Sequence, residues 1–257
     1  MLVKGANACF DWLMRAGILI VGSLLWDTCQ EREQWRAGRL LLDRRASVGA
    51  PICYGRRART RGDTYTMIFD PARPGGRAVL LECRHEVNSV DDVVAEAKAL
   101  WSAERKTDQI DGIGAEWGCV GVLFNGAGTA ELRKQWTGWF GESGTLPVGV
   151  VTGDGIVCLQ WPTAAARRLG LDLILTTATR RKGEQGAGLV ADAWIGQNGG
   201  YEEYFFNNVA NKVRTPDDLA IWRRMEERQP RWLARGEYRR AVAILRREAA
   251  RVAAGDG

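Results

Sequence analysis

Apolar and polar positions along this chain change period several times, and those changes mark its elements. The run Gly17-Ile18-Leu19-Ile20-Val21 is β-branched and continuously apolar, the pattern of a buried strand. It breaks at Gly22-Ser23 and gives way to Leu24-Leu25-Trp26. Three alternating or apolar stretches follow, at 46–54, 64–69 and 77–83. The turn signals Arg61-Gly62-Asp63 and Pro71-Ala72-Arg73-Pro74-Gly75-Gly76 separate them, so they predict neighbouring strands of one sheet or barrel. Ser89, Asp91 and Asp92 then offer an N-cap and an acidic first turn. Val93, Glu96, Ala97, Leu100, Trp101 and Glu104 continue from there at helical spacing. Strands are predicted near 117–124 and 149–160, on either side of a tryptophan-bearing helix around 130–140, and again at 171–179. The rest is helical in pattern, at 189–195, 202–213, 217–227 and 237–252. Residues 1–16 show no clear period, and Met14 is an alternative start.

Composition narrows the classes. With 257 residues, 46% hydrophobic and 26% charged, the chain is that of a folded protein with one large domain or two small ones. Its longest apolar run, from Ala16 to Trp26, is shorter than the ~18 residues that span a bilayer. Arg15 precedes that run as in a signal peptide. Asp27-Thr28-Cys29-Gln30 follows it, however, instead of a small-residue cleavage site, so the expectation is a cytoplasmic protein. Six cysteines at 9, 29, 53, 83, 119 and 158 form no C-x-x-C, which excludes a zinc ribbon or dithiol motif and leaves reduced thiols. His85 is the single histidine, so His-rich metal sites are excluded and a Ser-His-Asp triad would hang on one residue. Carboxylates and backbone dipoles remain as catalytic tools. From Arg214 to Arg251 there are 11 arginines against 6 acids, so the whole formal excess of +5 belongs to the C-terminal segment.

Several clusters could carry chemistry. A strand ending in Gly22-Ser23-Leu24-Leu25 turns successive backbone N–H groups away from ladder partners, where they can cradle a carboxylate or a developing oxyanion; an ordinary tight turn gives the same pattern. Glu104 closes a helix whose Leu100 and Trp101 face the core. Its carboxylate is therefore expected to be half-buried beside a tryptophan, a setting suited to proton transfer, with a surface i,i+4 pair as the alternative. Glu96 on the same helix is a second acid/base candidate. Gly199-Gly200-Tyr201-Glu202-Glu203-Tyr204 with Asn207 and Asn208 sets hydroxyls and amides on one helix side, lining either a polar pocket or a packed face. Gly186-Ala187-Gly188-Leu189-Val190-Ala191 matches G-x-G-x-x-A, but Arg180 to Gln185 separate it from its strand, which argues against nucleotide binding. In the tail, Tyr238, Val242, Leu245, Ala249 and Val252 form an apolar stripe beside Arg239, Arg240, Arg246, Arg247 and Arg251. That face could meet phosphates or a membrane, or simply be the solvated side of a packed helix. Interleaved acids and the lack of a nucleic-acid motif argue against nucleic acid.

Taken together, these segments resemble the γ-glutamylcyclotransferase-like superfamily, ChaC-type members in particular. Gly22-Ser23-Leu24-Leu25-Trp26 after its strand is similar to the Y-G-S-L motif, with Val21 in place of the tyrosine. Arg61-Gly62 is similar to the arginine-glycine step that follows in that group. Leu100-Trp101-Ser102-Ala103-Glu104-Arg105 resembles the segment that delivers the catalytic glutamate, and residues 199–206 leading to 211–219 resemble the late G-x-x-x-x-Y-L stretch. The motifs keep their order across roughly 17–224, leaving 225–257 as a basic helical tail. The resemblance implies an α+β fold, a small mixed β-barrel flanked by helices, with residues 117–161 as an inserted strand–helix–strand segment. It implies intramolecular attack of the α-amine of a γ-glutamyl group on its own γ-amide, releasing 5-oxoproline and an amine without metal or cofactor. Glu104 would be acid/base, and Val21, Gly22, Ser23, Leu24, Leu25, Arg61, Tyr201 and Tyr204 would bind substrate. Glutathione, another γ-glutamyl amide and a γ-glutamyl group on a larger molecule are all open as substrates. The other readings are a non-catalytic binding protein on the same fold, which Val21 favours, and an interaction module built on the arginine tail. The 11 tryptophans leave room for an aromatic interface between copies of the chain.

Overall fold

A computed structural model describes residues 13–107, 112–184, 186–197 and 200–254. The apolar run forms β1 (Met14–Ile20), and a 3-10 turn at Ser23–Leu25 leads to α1 (Gln30–Arg39). Next come β2 (Leu40–Ala50), β3 (Ile52–Ala58), β4 (Thr64–Phe69) and β5 (Gly76–Val87). The capped helix α2 (Val90–Arg105) follows, then β6 (Gly114–Ala115), β7 (Gly118–Phe124), α3 (Ala130–Glu142), α4 (Thr163–Leu169) and β8 (Leu173–Thr179). Helices α5 (Ala187–Gly196), α6 (Glu203–Ala210), α7 (Asp218–Arg228), α8 (Pro230–Leu233) and α9 (Arg239–Ala253) complete the chain.

The fold is mixed α+β. Six strands form one sheet in the order β2-β5-β1-β8-β7-β6, antiparallel except for the parallel β1–β8 pair, while β3 and β4 form a separate ribbon. The expected barrel does not close among the described residues. Pro51 interrupts the single strand predicted at 46–54 and turns β3 out of the main sheet. The ribbon is bonded to the chain after β8 at Lys182, whose N–H donates to the Gly55 carbonyl and whose carbonyl accepts from Arg57 N–H, each at 2.9 Å. The central strands β1, β7 and β8 are buried on both faces, as their unbroken apolar runs require. Helix α2 covers one face with Val93, Ala97, Leu100 and Trp101, and the ribbon with α5 lies on the other.

Three predicted features come out differently. β7 pairs with β8 over seven residues in the main sheet, so the segment from 117 begins inside the core. The strand predicted at 149–160 is instead a turn, with only the bridges Val151–Val157 and Val122–Ile156. Gly149 and Gly155 there hold φ 61° and 76°, which no strand accommodates. The cut after residue 224 falls inside α7. The tail is packed on α6 and α7 through Val242 and Leu245, and Trp232 is fully buried. Arg235 pairs with the buried Glu202, and Arg214 ties Glu248 of α9 to Asp218 of α7. Arg239, Arg240, Arg246, Arg247 and Arg251 all face outwards. Among the described residues no helix is long and apolar enough to cross a membrane.

Candidate functional site

Between the β1–α1 loop, the end of α2, the ribbon and the start of α6 lies a cavity of about 870 Å³. Its walls bring together six of the nine expected site residues: Val21, Ser23, Arg61, Glu104, Tyr201 and Tyr204. Gly22, Leu24 and Leu25 do not face it. Leu24 is buried in the core, and Leu25 packs against it. Gly22 has φ 89° and lies so close to the Tyr204 hydroxyl that a Cβ would overlap it, so only glycine fits. Gly199 lies outside the described residues. Asn208 is fully buried and accepts from Trp26 Nε1 at 2.8 Å, while its neighbour Asn207 lines the cavity.

The loop is held by backbone bonds at its end and leaves amides at its start without acceptors among the described residues. The amides of Trp26 and Asp27 donate to the Ser23 carbonyl, while those of Gly22, Ser23 and Leu24 at the start of the 3-10 turn donate to no described acceptor. Two arginines one turn apart on α1 hold the loop. Arg36 donates to the carbonyls of Leu24 (2.8 Å) and Asp27 (2.7 Å). Arg32, only 3% exposed, donates to Ser23 Oγ at 2.6 Å and to Asp27 Oδ2 at 2.9 Å. Its other nitrogens reach the carbonyls of Ala103 (3.0 Å) and Glu104 (3.4 Å), two of the orphan acceptors at the C-terminus of α2. One guanidinium thus fixes the loop to the helix end that carries Glu104. The Glu104 carboxylate lies 3.8 Å from Arg32, farther than that of Asp27.

Helix α2 ends because Lys106 takes the left-handed conformation, φ 57°, with its N–H on the Ser102 carbonyl. That turn sends Lys106 Nζ to Asp27 Oδ2 at 2.8 Å, with Arg61 at 3.7 Å. Burial opposes ionisation of Asp27, but Lys106, the Cys29 amide and Arg32 outweigh it and hold its pKa at about 2. Arg61 also donates to Ser23 Oγ at 3.2 Å and stacks 5.0 Å from the Tyr204 ring centroid. Gly62 after it has φ 60°, and a Cβ there would lie 2.8 Å from the Tyr201 ring. Tyr204 is buried, which raises its pKa, and its hydroxyl accepts from Met67 N–H at 3.1 Å. Arg56 lies 4.4 Å over the Trp117 ring, and its guanidinium has no hydrogen-bond or ion-pair partner among the described residues. Burial lowers its pKa, with the Glu104 carboxylate opposing. Five cations (Arg32, Arg56, Arg61, Arg105 and Lys106) face three carboxylates (Asp27, Glu104 and Glu203), so the cavity attracts anionic ligands.

Glu96 is excluded as the acid/base of this cavity. It lies eight residues before Glu104, which turns it to another face of α2, where it pairs with Arg39 at 3.0 Å and His85 at 3.2 Å. Asp27, Arg32, Arg36, Arg56 and Lys106 were not anticipated. The i,i+4 pair Arg32 and Arg36 flanking Trp35, directly after the Gly-Ser loop, was the available signal. Among the described residues no three His, Cys, Asp or Glu side chains cluster as metal ligands. Comparison with protein-family models, with curated proteins and with solved structures finds no match.

Proposed function

We propose that the cavity cyclises a γ-glutamyl amide to 5-oxoproline and a free amine, on a variant of the γ-glutamylcyclotransferase-like fold. The observation that carries this reading is the convergence, in one cationic cavity, of Ser23 with its unpaired amide, the Glu104 carboxylate and the unpartnered Arg56. Arg56, assisted by Arg61, takes the α-carboxylate of the glutamyl group. Glu104 accepts a proton from the α-ammonium, and the freed amine attacks the γ-carbonyl carbon. The oxyanion that forms is met by the amide of Ser23, a donor of a kind worth about 3–4 kcal/mol in a transition state. Collapse breaks the carbon–nitrogen bond of the amide, and Glu104 returns its proton to the leaving nitrogen. The attacking nitrogen still holds two protons after it bonds to carbon, and Glu104, emptied by the first transfer, takes one of them and passes it to the freed amine, so that one ammonium proton stays on the lactam nitrogen and two leave with the amine. The balance needs no co-reactant.

The test is mass-spectrometric detection of 5-oxoproline from a panel of γ-glutamyl compounds. Wild type should form it, and Glu104→Gln should be slower by about 10²–10⁴-fold with an unchanged unfolding midpoint. Near-normal turnover by Glu104→Gln would overturn the assignment. Val21, which lines the cavity without a hydroxyl, favours a second reading in which the cavity binds such ligands without turning them over. Saturable binding by calorimetry with no product from any compound would select it.

A further inference from the structure

Between Arg214 and Arg251 acids interleave with arginines along the chain, and that interleaving argues against a nucleic-acid partner. The fold separates the two signs. Arg214 pairs with Asp218 and Glu248, Arg224 with Asp192 and Arg235 with Glu202. Glu248 is the one acid of α9, and its pair with Arg214 holds it on the side of α7. On the outer side of α9 stand Arg239, Arg240, Arg246, Arg247 and Arg251, all exposed. Their guanidinium groups have no hydrogen-bond or ion-pair partner among the described residues. None of them lines the cavity.

Helix phase sorts these five into two rows. At about 100° per residue, Arg239 and Arg246 fall within about 20° of each other, and Arg240, Arg247 and Arg251 within about 40°. The rows lie about 110° apart around the helix axis. Ala243 and Ala250, both exposed, fall between them. Ala241, Val242 and Leu245 occupy the opposite side and are buried against the body. Helix α9 therefore presents a crest of alanine with a row of arginines along each flank.

Two rows of cations beside a crest of small residues complement two rows of anions with a space between them. The major groove of duplex DNA has that form, because its width of about 12 Å admits a helix about 10–12 Å across between two phosphate strands. Alanine on the crest lets the helix approach, and arginine on each flank meets phosphate in a bidentate pair. A bilayer complements this surface less well, since Val242 and Leu245, the apolar side chains available for insertion, are buried in the protein. Duplex RNA is disfavoured because its major groove is deep and narrow. We propose that α9 docks in the major groove of duplex DNA, with its two arginine rows on the two flanking phosphate strands. Contacts to phosphate carry no base information, so the binding is independent of sequence.

The test follows binding of the full chain by fluorescence anisotropy to a mixed-sequence DNA duplex of about 20 base pairs, to one of its strands and to the matching RNA duplex, at salt from about 50 to 200 mM. The DNA duplex should bind at least about 10-fold more tightly than either other probe, and log Kd should rise with log salt at a slope of about 3–5. Arg240→Gln, Arg247→Gln and Arg251→Gln together remove one row. They should lower that slope by about 2–3 and raise Kd by at least about 10-fold, with the unfolding midpoint unchanged because all three side chains are exposed. Arg133→Gln, Arg167→Gln and Arg168→Gln, at exposed arginines of α3 and α4, give the same net charge and should bind as wild type. An equal loss in that control would mean bulk attraction and overturn the proposal. So would a single strand or RNA duplex bound as tightly as the DNA duplex, or no duplex binding at about 50 mM salt. Sedimentation with phosphatidylserine vesicles that the row variant abolishes, without duplex binding, would assign the face to a membrane and likewise overturn it.

Discussion

Arg32→Met removes the guanidinium that joins the Gly-Ser loop to the end of α2 and keeps the aliphatic bulk beneath it. The loss comprises the bonds to Ser23 Oγ, Asp27 Oδ2 and the Ala103 carbonyl, at 2.6, 2.9 and 3.0 Å, and a longer one to the Glu104 carbonyl. Removing one partner from a buried charge pair costs about 3–5 kcal/mol. Lys106 still holds Asp27, which puts the expectation at the lower end, about 3 kcal/mol at pH 7. For a chain of this size that corresponds to a Tm lowered by about 6–12 °C. The pH dependence adds a second, independent sign. Asp27 ionises at about 2 in the folded protein against an ordinary 3.8, so its contribution is present above about pH 4 and is lost as pH falls through 2. The full linkage of about 2.4 kcal/mol is reduced by solvent at the cavity to about 1–2 kcal/mol, and part of it depends on Arg32. Wild type should therefore lose more stability than the variant between pH 5 and pH 2, and the gap between them should narrow. Urea unfolding followed by tryptophan fluorescence across that range measures both. A variant within about 1 kcal/mol of wild type at pH 7, or a gap that widens on acidification, would refute the reasoning.

Gly22→Ala should cost about 2–4 kcal/mol by urea unfolding, from the strained φ of 89° and the overlap with Tyr204. Combined with Tyr204→Phe it should be non-additive by at least about 0.5 kcal/mol; strict additivity would mean the two do not touch. Arg56→Met should raise KM for a γ-glutamyl amide by about 10- to 100-fold, because a lost charged hydrogen bond is worth about 1.5–3 kcal/mol, while Tm moves little. An unchanged KM would remove Arg56 from the carboxylate role. Lys106→Gly and Lys106→Ala both lose the pair with Asp27, but only glycine relieves the left-handed φ of 57°. The glycine variant should be the more stable by about 1 kcal/mol, and equal midpoints would argue against strain at this cap.

What the sequence revealed and what it hid divide along a physical line. β1, β4, β8 and α2 were legible because each buries an apolar face whose period, 2 or 3.6, is written in its residues. The same kind of signal singled out Ser23, Glu104, Tyr201 and Tyr204, since turn chemistry and helix phase place them, whereas Arg61 and Val21 were singled out by the family resemblance. Helix α1 was missed because its buried face is Arg32, Trp35 and Arg36, and charged residues on a helix normally mark the solvent side. The burial of Arg32 depends on acceptors 9 residues back and 71 to 72 residues ahead in the chain, and no local pattern encodes them. The barrel was expected for a related reason. Residues 46–54 have the apolar content of one strand, and a single proline at 51 decides that they become two, in different sheets. That break also sets the β3–β4 ribbon apart from the main sheet, and the cavity, lined by Arg56, Ala58, Thr66 and Ile68 of the ribbon and by Thr177 and Thr179 of β8, reaches Glu104. The feature least visible in the hydrophobic pattern is therefore the one that opens the site. Restoring an unbroken strand there, with Pro51→Val, should draw β3 towards β2 and narrow the cavity, which thermal unfolding together with ligand titration would register as a more stable protein that binds less well.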